Sequence, residues 1–258
     1  MSDFKYPITE IFSSIQGEGG NAGRSATFIR LGGCNLACPG CDEPLHDNNS
    51  TWIRLTAEEI GDHLTGKQKF TFPADEHFPK KPIVPTELIV ITGGEPTMYP
   101  LDDLVTYLRN RLLEVGVLNW TGFNPVFPDN FNQNCEGPMF CIETNGTRPI
   151  SDEIDYVCVS PKPPKFGRTG NVELDESAIQ KADEIKLVVG WSEAATIDAE
   201  IDSFRSRSSA QIYLSPLTQF PGNTLIQETA DLACEAVMRN AAKGVRLSLQ
   251  THKWLRWR

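Results

Sequence analysis

The 258-residue chain has no apolar run approaching the roughly 20 residues that a membrane-spanning helix needs. That excludes a bundle of such helices as its architecture. The segment Met1 to Pro7 lacks the apolar stretch of a secretion leader, so a cytoplasmic protein with reduced thiols is expected. Basic residues are in short supply: 24 Lys and Arg stand against 34 Asp and Glu, for a net charge of −10. This balance argues against sequence-independent attraction to a nucleic-acid backbone and favours a small-molecule substrate. The basic, aromatic end His252 to Arg258 is too short to reverse that reading. There is no internal repeat or low-complexity tract, which removes solenoids and disordered arrays from consideration.

What the chain does have is Cys34-Asn-Leu-Ala-Cys38-Pro-Gly-Cys41. The spacing brings three thiolates together, and a four-iron cluster held by three cysteines keeps one iron open to a small molecule. His46 leaves a second reading open, a Cys3His structural zinc site. Zinc would leave Gly93-Gly94-Glu95-Pro96 unexplained, a glycine-rich segment whose backbone can approach a ligand closely. Cys135, Cys141, Cys158 and Cys234 are scattered, mostly in apolar runs, and read as core.

Short apolar, β-branched runs recur at 26–31, 87–92, 140–143, 155–160, 184–189, 211–214 and 245–249, and read as buried strands. Between them, Leu101 to Val115 carries apolar residues at helical spacing. Asn223 is the expected N-cap of a helix running to about Ala242, with Gly244 beyond its end. Alternating strands and helices imply an α/β fold of parallel βαβ units, doubly wound or an incomplete, open TIM-like barrel. The barrel is favoured because Gly93 to Pro96, Glu143 to Gly146 and Ser160 to Lys162 each follow a strand, where barrels place active sites. One domain, 1–258, is expected, with surface insertions at about 66–85 and 121–139.

The cysteine loop and the GGEP segment together resemble the radical S-adenosylmethionine (SAM) superfamily. The resemblance implies a [4Fe-4S] cluster on Cys34, Cys38 and Cys41, with SAM on the open iron. The two ends narrow it further. Glu10-Ile-Phe-Ser-Ser-Ile15-Gln16-Gly17-Glu18-Gly19 and Arg246-Leu-Ser-Leu-Gln250-Thr-His-Lys253 closely resemble the 7-carboxy-7-deazaguanine synthase family. That resemblance implies a radical lyase converting 6-carboxy-5,6,7,8-tetrahydropterin to 7-carboxy-7-deazaguanine with loss of ammonia. It further implies magnesium, a flavodoxin or ferredoxin as electron donor, and a homodimer. A glycyl-radical activating enzyme would share the cluster features, but it gives no reason for these two ends.

By resemblance, Ile15, Gln16, Gly17, Glu18, Arg30, Thr92 and the terminal Arg258 contact substrate, with Arg30 on its carboxylate. Cofactor contacts fall at Gly40, Asp42, Gly94, Glu95, Glu143, Thr144, Asn145, Ser160, Pro161 and Lys162. Plainer readings stand beside these. Gln16 and Glu18 could shape a turn whose glycines, Gly17, Gly19 and Gly20, take positive φ, and Arg30 could sit in a core ion pair. Glu143 could be structural, Lys162 a solvated strand-end charge, Asp42 a turn residue and His252 a cap on the sheet. Two departures from the resemblance are visible. Gly40 stands where many radical SAM loops carry an aromatic, and Glu43 stands where the family commonly has a threonine on magnesium. Glutamate can ligate that ion, alter metal preference or replace the ion's role.

Overall fold

The computed structural model describes residues 3–72, 83–84, 86–116, 137–191, 196–219 and 224–255. The strands are β1 (Tyr6–Ile15), β2 (Ser25–Leu31), β3 (Ile53–Leu55), β4 (Leu88–Gly93), β5 (Met139–Thr144), β6 (Tyr156–Val159), β7 (Glu184–Val189), β8 (Gln211–Pro216), β9 (Thr218–Gln219), β10 (Thr224–Leu225) and β11 (Arg246–Leu247). The helices are α1 (Ala57–Leu64), α2 (Leu101–Glu114), α3 (Glu176–Lys181), α4 (Ile197–Arg207), α5 (Gln227–Arg239) and α6 (Thr251–Leu255).

Nine strands form one sheet in the order β11-β8-β7-β6-β5-β4-β2-β1-β3. From β2 through β11 all neighbours are parallel, while β1 is antiparallel to both β2 and β3. Along the parallel part the order runs one way. A doubly wound sheet would reverse at a switch point, so this sheet curls in a single direction and remains open between its two edges.

Strand alternation sorts the side chains onto two faces. Ile29, Ile89, Ile91, Phe140, Ile142, Val157, Val159, Ile185, Leu187, Ile212 and Leu214 point outward into the large core shared with the helices. The opposite face carries Ala26, Phe28, Leu88, Val90, Met139, Cys141 and Tyr156, a smaller apolar cluster with Phe12 packed against it. In α2, the predicted residues Leu101, Leu104, Val105, Leu108 and Leu112 are buried. Helix α1 is fixed by a capping box between Thr56 and Glu59.

Three local expectations change. Helix α5 starts at Gln227 after Ile226, with no side-chain cap, and Asn223 lies outside the described residues. It ends at Arg239, and Gly244 (φ 67°) closes a 3-10 turn beyond it. Met139, assigned to the second insertion, belongs to β5. Most of both insertions, and Cys135, fall outside the described residues.

Candidate active site

Toward the C-terminal strand ends the inner-face positions change from mostly apolar, with Glu184 the charged exception, to polar throughout. Phe28 leads to Arg30, Val90 to Thr92, Cys141 to Glu143, Glu184 to Lys186, and Tyr213 to Ser215. Arg30, Thr92, Glu143, Lys186 and Ser215 line one cavity at that rim, with Phe12 and Phe28 below them. Thr92 Oγ1 donates to one Glu143 carboxylate oxygen (2.9 Å) and Gln16 Nε2 to the other (3.0 Å). Glu143 therefore ties β4 and β5 to the first loop of the chain. The Arg30 guanidinium lies over the Phe12 ring (5.4 Å) and meets Glu10 Oε1 through Nε (2.8 Å). Its Nη1 is paired with Glu43.

The segment Gln16 to Asn21 leaves β1 and runs over the inner face to meet β5, β7 and the residues after β11. Glu18 pairs with Lys186 on β7 and accepts from Gln250 (2.8 Å). The Gly20 amide donates to the buried Glu184 (2.7 Å), and the Gly19 amide to Ser248 (3.0 Å). Burial opposes charge on Glu18, but Lys186 overrides it and holds the carboxyl below its ordinary range. Burial likewise opposes charge on Lys186, and Glu18 holds that ammonium well above its usual value. Among the three glycines expected at positive φ, only Gly19 shows it (65°). Gly17 is small because a Cβ there would stand 2.0 Å from the His252 ring.

Helix α6 packs on this segment. Thr251 donates its amide and its hydroxyl to the Gly17 carbonyl, both at 3.1 Å. Lys253 reaches Asp42 (2.8 Å), just past the cysteine loop. Asp42 is about half exposed, and Lys253 and Gln250 hold its carboxyl below the usual range against the desolvation that opposes charge.

Burial raises all three loop thiols, Cys34, Cys38 and Cys41, above the ordinary cysteine value. Lys162 lies near Cys38, Arg168 near Cys34 and Cys38, and the Leu36 amide donates to the Cys34 sulfur (3.4 Å). Thiolates around one tetrahedral ion with bonds of about 2.3 Å must crowd to within about 4 Å of each other. Among the described residues no three His, Cys, Asp or Glu side chains are so arranged. The GGEP backbone is pressed on this loop: the Gly94 and Glu95 amides donate to Leu31 and Gly33 carbonyls at 2.9 and 2.8 Å. A Cβ on Gly94 would lie 1.9 Å from the Gly33 oxygen. Gly40 has φ 70°, left-handed backbone that an aromatic residue adopts only with strain.

The cavity brings together most of the expected residues: Ile15, Gln16, Glu18, Arg30, Cys38, Gly40, Cys41, Asp42, Glu43, Thr92, Glu143, Ser160 and Lys162. Gly17, Cys34, Gly94, Glu95, Thr144, Asn145 and Pro161 are not part of its wall. Glu95 is fully buried, and its oxygens accept from Thr97 N (3.0 Å), Thr97 Oγ1 (2.6 Å), Thr144 Oγ1 (2.7 Å) and Asn145 N (2.7 Å). It locks the ends of β4 and β5 together. Asn145 in turn donates to Asn35 beside Cys34 (2.9 Å). Arg258 lies outside the described residues. Lys162 is no solvated strand-end charge: it donates to Ser160 O (2.9 Å) and Oγ (2.6 Å), and burial together with Lys186 depresses its pKa.

Lys186, Trp191, Gln250 and His252 also line the cavity without having been expected there. Lys186 alternates with apolar neighbours, a pattern that reads as a solvated face until the sheet is curled. Trp191 lies two residues past the end of β7, a position that a barrel reading could have flagged. Its ring packs edge-on against Phe166 (5.7 Å) with Lys162 Nζ 5.2 Å from its centre.

No family model matches the chain. It is 32% identical over 256 residues to the 7-carboxy-7-deazaguanine synthase of Neisseria meningitidis serogroup B, covering 97% of this chain and 93% of that one. The Bacteroides thetaiotaomicron enzyme of the same name is 32% identical over 246 residues, 95% of each chain. Among solved structures, the crystal structure of QueE from Escherichia coli superposes with a TM-score of 0.63 at 25% identity, covering 95% and 93% of the two chains. With this identity along nearly the full length of both sequences, and a curled parallel sheet carrying the cysteine loop at its C-terminal rim, the chain belongs to the 7-carboxy-7-deazaguanine synthase family.

Proposed function

We propose that this chain converts 6-carboxy-5,6,7,8-tetrahydropterin to 7-carboxy-7-deazaguanine with loss of ammonia. The observation that carries this reading is Arg30, a cation on the inner wall of the cavity that Cys38 and Cys41 also line. Cys34, Cys38 and Cys41 would hold a [4Fe-4S] cluster. With SAM bound, that group supplies the 5'-deoxyadenosyl radical that takes hydrogen from the substrate's C6.

The chain's own residues bind and orient. Arg30 offers a planar fork suited to the pterin carboxylate, backed by Glu10 and stacked on Phe12. Gln16 and Thr92 fix Glu143 in one orientation, so its oxygens face the cavity without rotamer freedom. Ile15 and Gln16 supply one wall for the pterin. Ser160 and Lys162 stand at the strand end nearer the cysteine loop, as a SAM contact requires. Trp191 offers the aromatic face that Gly40 does not. The contacts of Thr251 with Gly17 and of Lys253 with Asp42 would limit the entry of water to the cavity.

Glu43 does not form a ready magnesium site, because its carboxylate is taken by Arg30. Asp42, its neighbour, is taken by Lys253. The reading calls for a low-potential one-electron donor of the flavodoxin or ferredoxin kind, and for a homodimer in the cytoplasm. Among the described residues, no helix is long and apolar enough to cross a membrane.

The test is anaerobic incubation of the reconstituted, reduced protein with SAM and the carboxypterin, following 7-carboxy-7-deazaguanine by mass-resolved chromatography. Product formation is expected. SAM cleavage without product would sink the substrate assignment and leave the radical chemistry standing.

A further inference from the structure

The loop between Cys41 and β3 holds a histidine that the assignments above do not use. His46 is 4% exposed, and its Nε2 lies 3.3 Å from the Cys41 sulfur. On the far side of the ring, Nδ1 stands 3.1 Å from Asp47 Oδ1. Asp47 is paired with Arg168, whose Nε donates to the Cys34 carbonyl (2.9 Å). The His46 carbonyl accepts from the Gly33 amide (2.7 Å). A belt of contacts thus runs from Cys41 through His46, Asp47 and Arg168 back to Cys34, with the imidazole buried within it.

We propose that His46 is a positioning residue for the cluster, donating Nε2–H to the Cys41 sulfur and raising the cluster's reduction potential. The inference rests on the cluster reading of the cysteine loop. A sulfur bonded to iron carries no proton, so only a ring N–H can fill the 3.3 Å contact. His46 cannot instead share Cys41's iron: a cubane iron bonded to three sulfides has one remaining position, and the thiolate fills it. Hydrogen bonds to cluster sulfurs are among the terms that set the potential. A donor stabilises the more negatively charged state, which is the reduced one. When one electron enters from a low-potential donor, the donor is oxidised, the cluster gains one negative charge, and the N–H···S bond strengthens. No atom is transferred in that step.

The belt also explains why a buried histidine suits this place. An apolar residue of similar size would pack equally well, but it would leave the Asp47 carboxylate and the Cys41 sulfur without the group between them.

The experiment compares anaerobically reconstituted wild type, His46→Gln and His46→Leu. Iron and sulfide content are measured first, then the midpoint potential, by following the reduced-cluster EPR signal in a dye-mediated titration. Comparable cluster loading is expected in all three. Glutamine keeps a donor and should stay near the wild-type potential, whereas leucine should move it negative and reduce several-fold the cluster reduced by a fixed potential. Equal potentials in wild type and His46→Leu, with normal loading, would overturn the inference and leave the cluster reading intact. Should His46→Leu fail to load, His46→Met decides in its place: a negative shift supports the donated hydrogen bond, and an unchanged potential overturns it. A wild-type chain that takes up no iron would remove the cluster reading and this inference together.

Discussion

Arg30 and Glu43 are an ion pair inside the cavity, with Arg30 held from its other side by Glu10. In a site that takes a carboxylate substrate, Glu43 is therefore an internal competitor for the same guanidinium. Glu43→Thr should lower KM for the carboxypterin by about threefold to tenfold, in line with removing one charge-assisted contact worth about 1 kcal/mol. The dependence on magnesium should also change. The check is steady-state kinetics at several magnesium concentrations, and an unchanged KM would mean that Glu43 does not compete.

Glu95 is read as a lock between β4 and β5, since four donors converge on it and it has no exposed surface. Glu95→Gln turns one acceptor oxygen into a donor facing another donor. A loss of about 1–3 kcal/mol is expected from the unsatisfied group. Chemical denaturation of the metal-free protein measures it, and unaltered stability together with weakened SAM binding would favour direct contact instead.

Gly94→Ala should abolish most cluster loading. The added methyl would meet the Gly33 oxygen at 1.9 Å, and the atom it meets is backbone next to Cys34. No side chain can swing aside to make room. Iron content after reconstitution, set against a circular dichroism spectrum showing retained secondary structure, tests it.

Asp183 gives a pH prediction. Burial raises its carboxyl from 3.8 to about 6, although the Val157 amide donates to it (2.7 Å). A raised acid favours its neutral form in the folded state. Its contribution is thus fully present below the unfolded value and lost as pH rises through about 6. Asp183→Asn keeps the acceptor for Val157 and has no charge to bury. It should be more stable than wild type at pH 7 by about 1–3 kcal/mol, with the difference vanishing near pH 4. Parallel stability curves across that range would refute it.

Much of the frame could be read before any coordinates. The run 184–189 is β7 residue for residue, and the buried face of α2 follows its helical spacing. These are local patterns. Strand β1 is harder to read, because Thr9, Glu10, Ser13 and Ser14 interrupt its apolar alternation, and its second half looks first like a binding motif. Lys186 and Trp191 needed the curvature of the sheet to become cavity residues. The contact of Gln250 with Glu18 joins positions 232 apart, a distance over which periodicity carries no information. Glu95 marks another limit. Its motif signals a ligand-binding segment, but only the converging donors show a residue that works by holding that segment in place.

The contact of Lys253 with Asp42 has a consequence for how the protein is made. Lys253 and Asp42 are 211 positions apart in the chain. At a synthesis rate of about 5–20 residues per second, the interval between them is on the order of 10–40 s. Throughout that time the cysteine loop is already outside the translating ribosome's active centre while Lys253 does not yet exist. A newly made chain therefore passes through a stage in which the three thiols have been synthesised and the contact of Lys253 with Asp42 beside them has not yet formed.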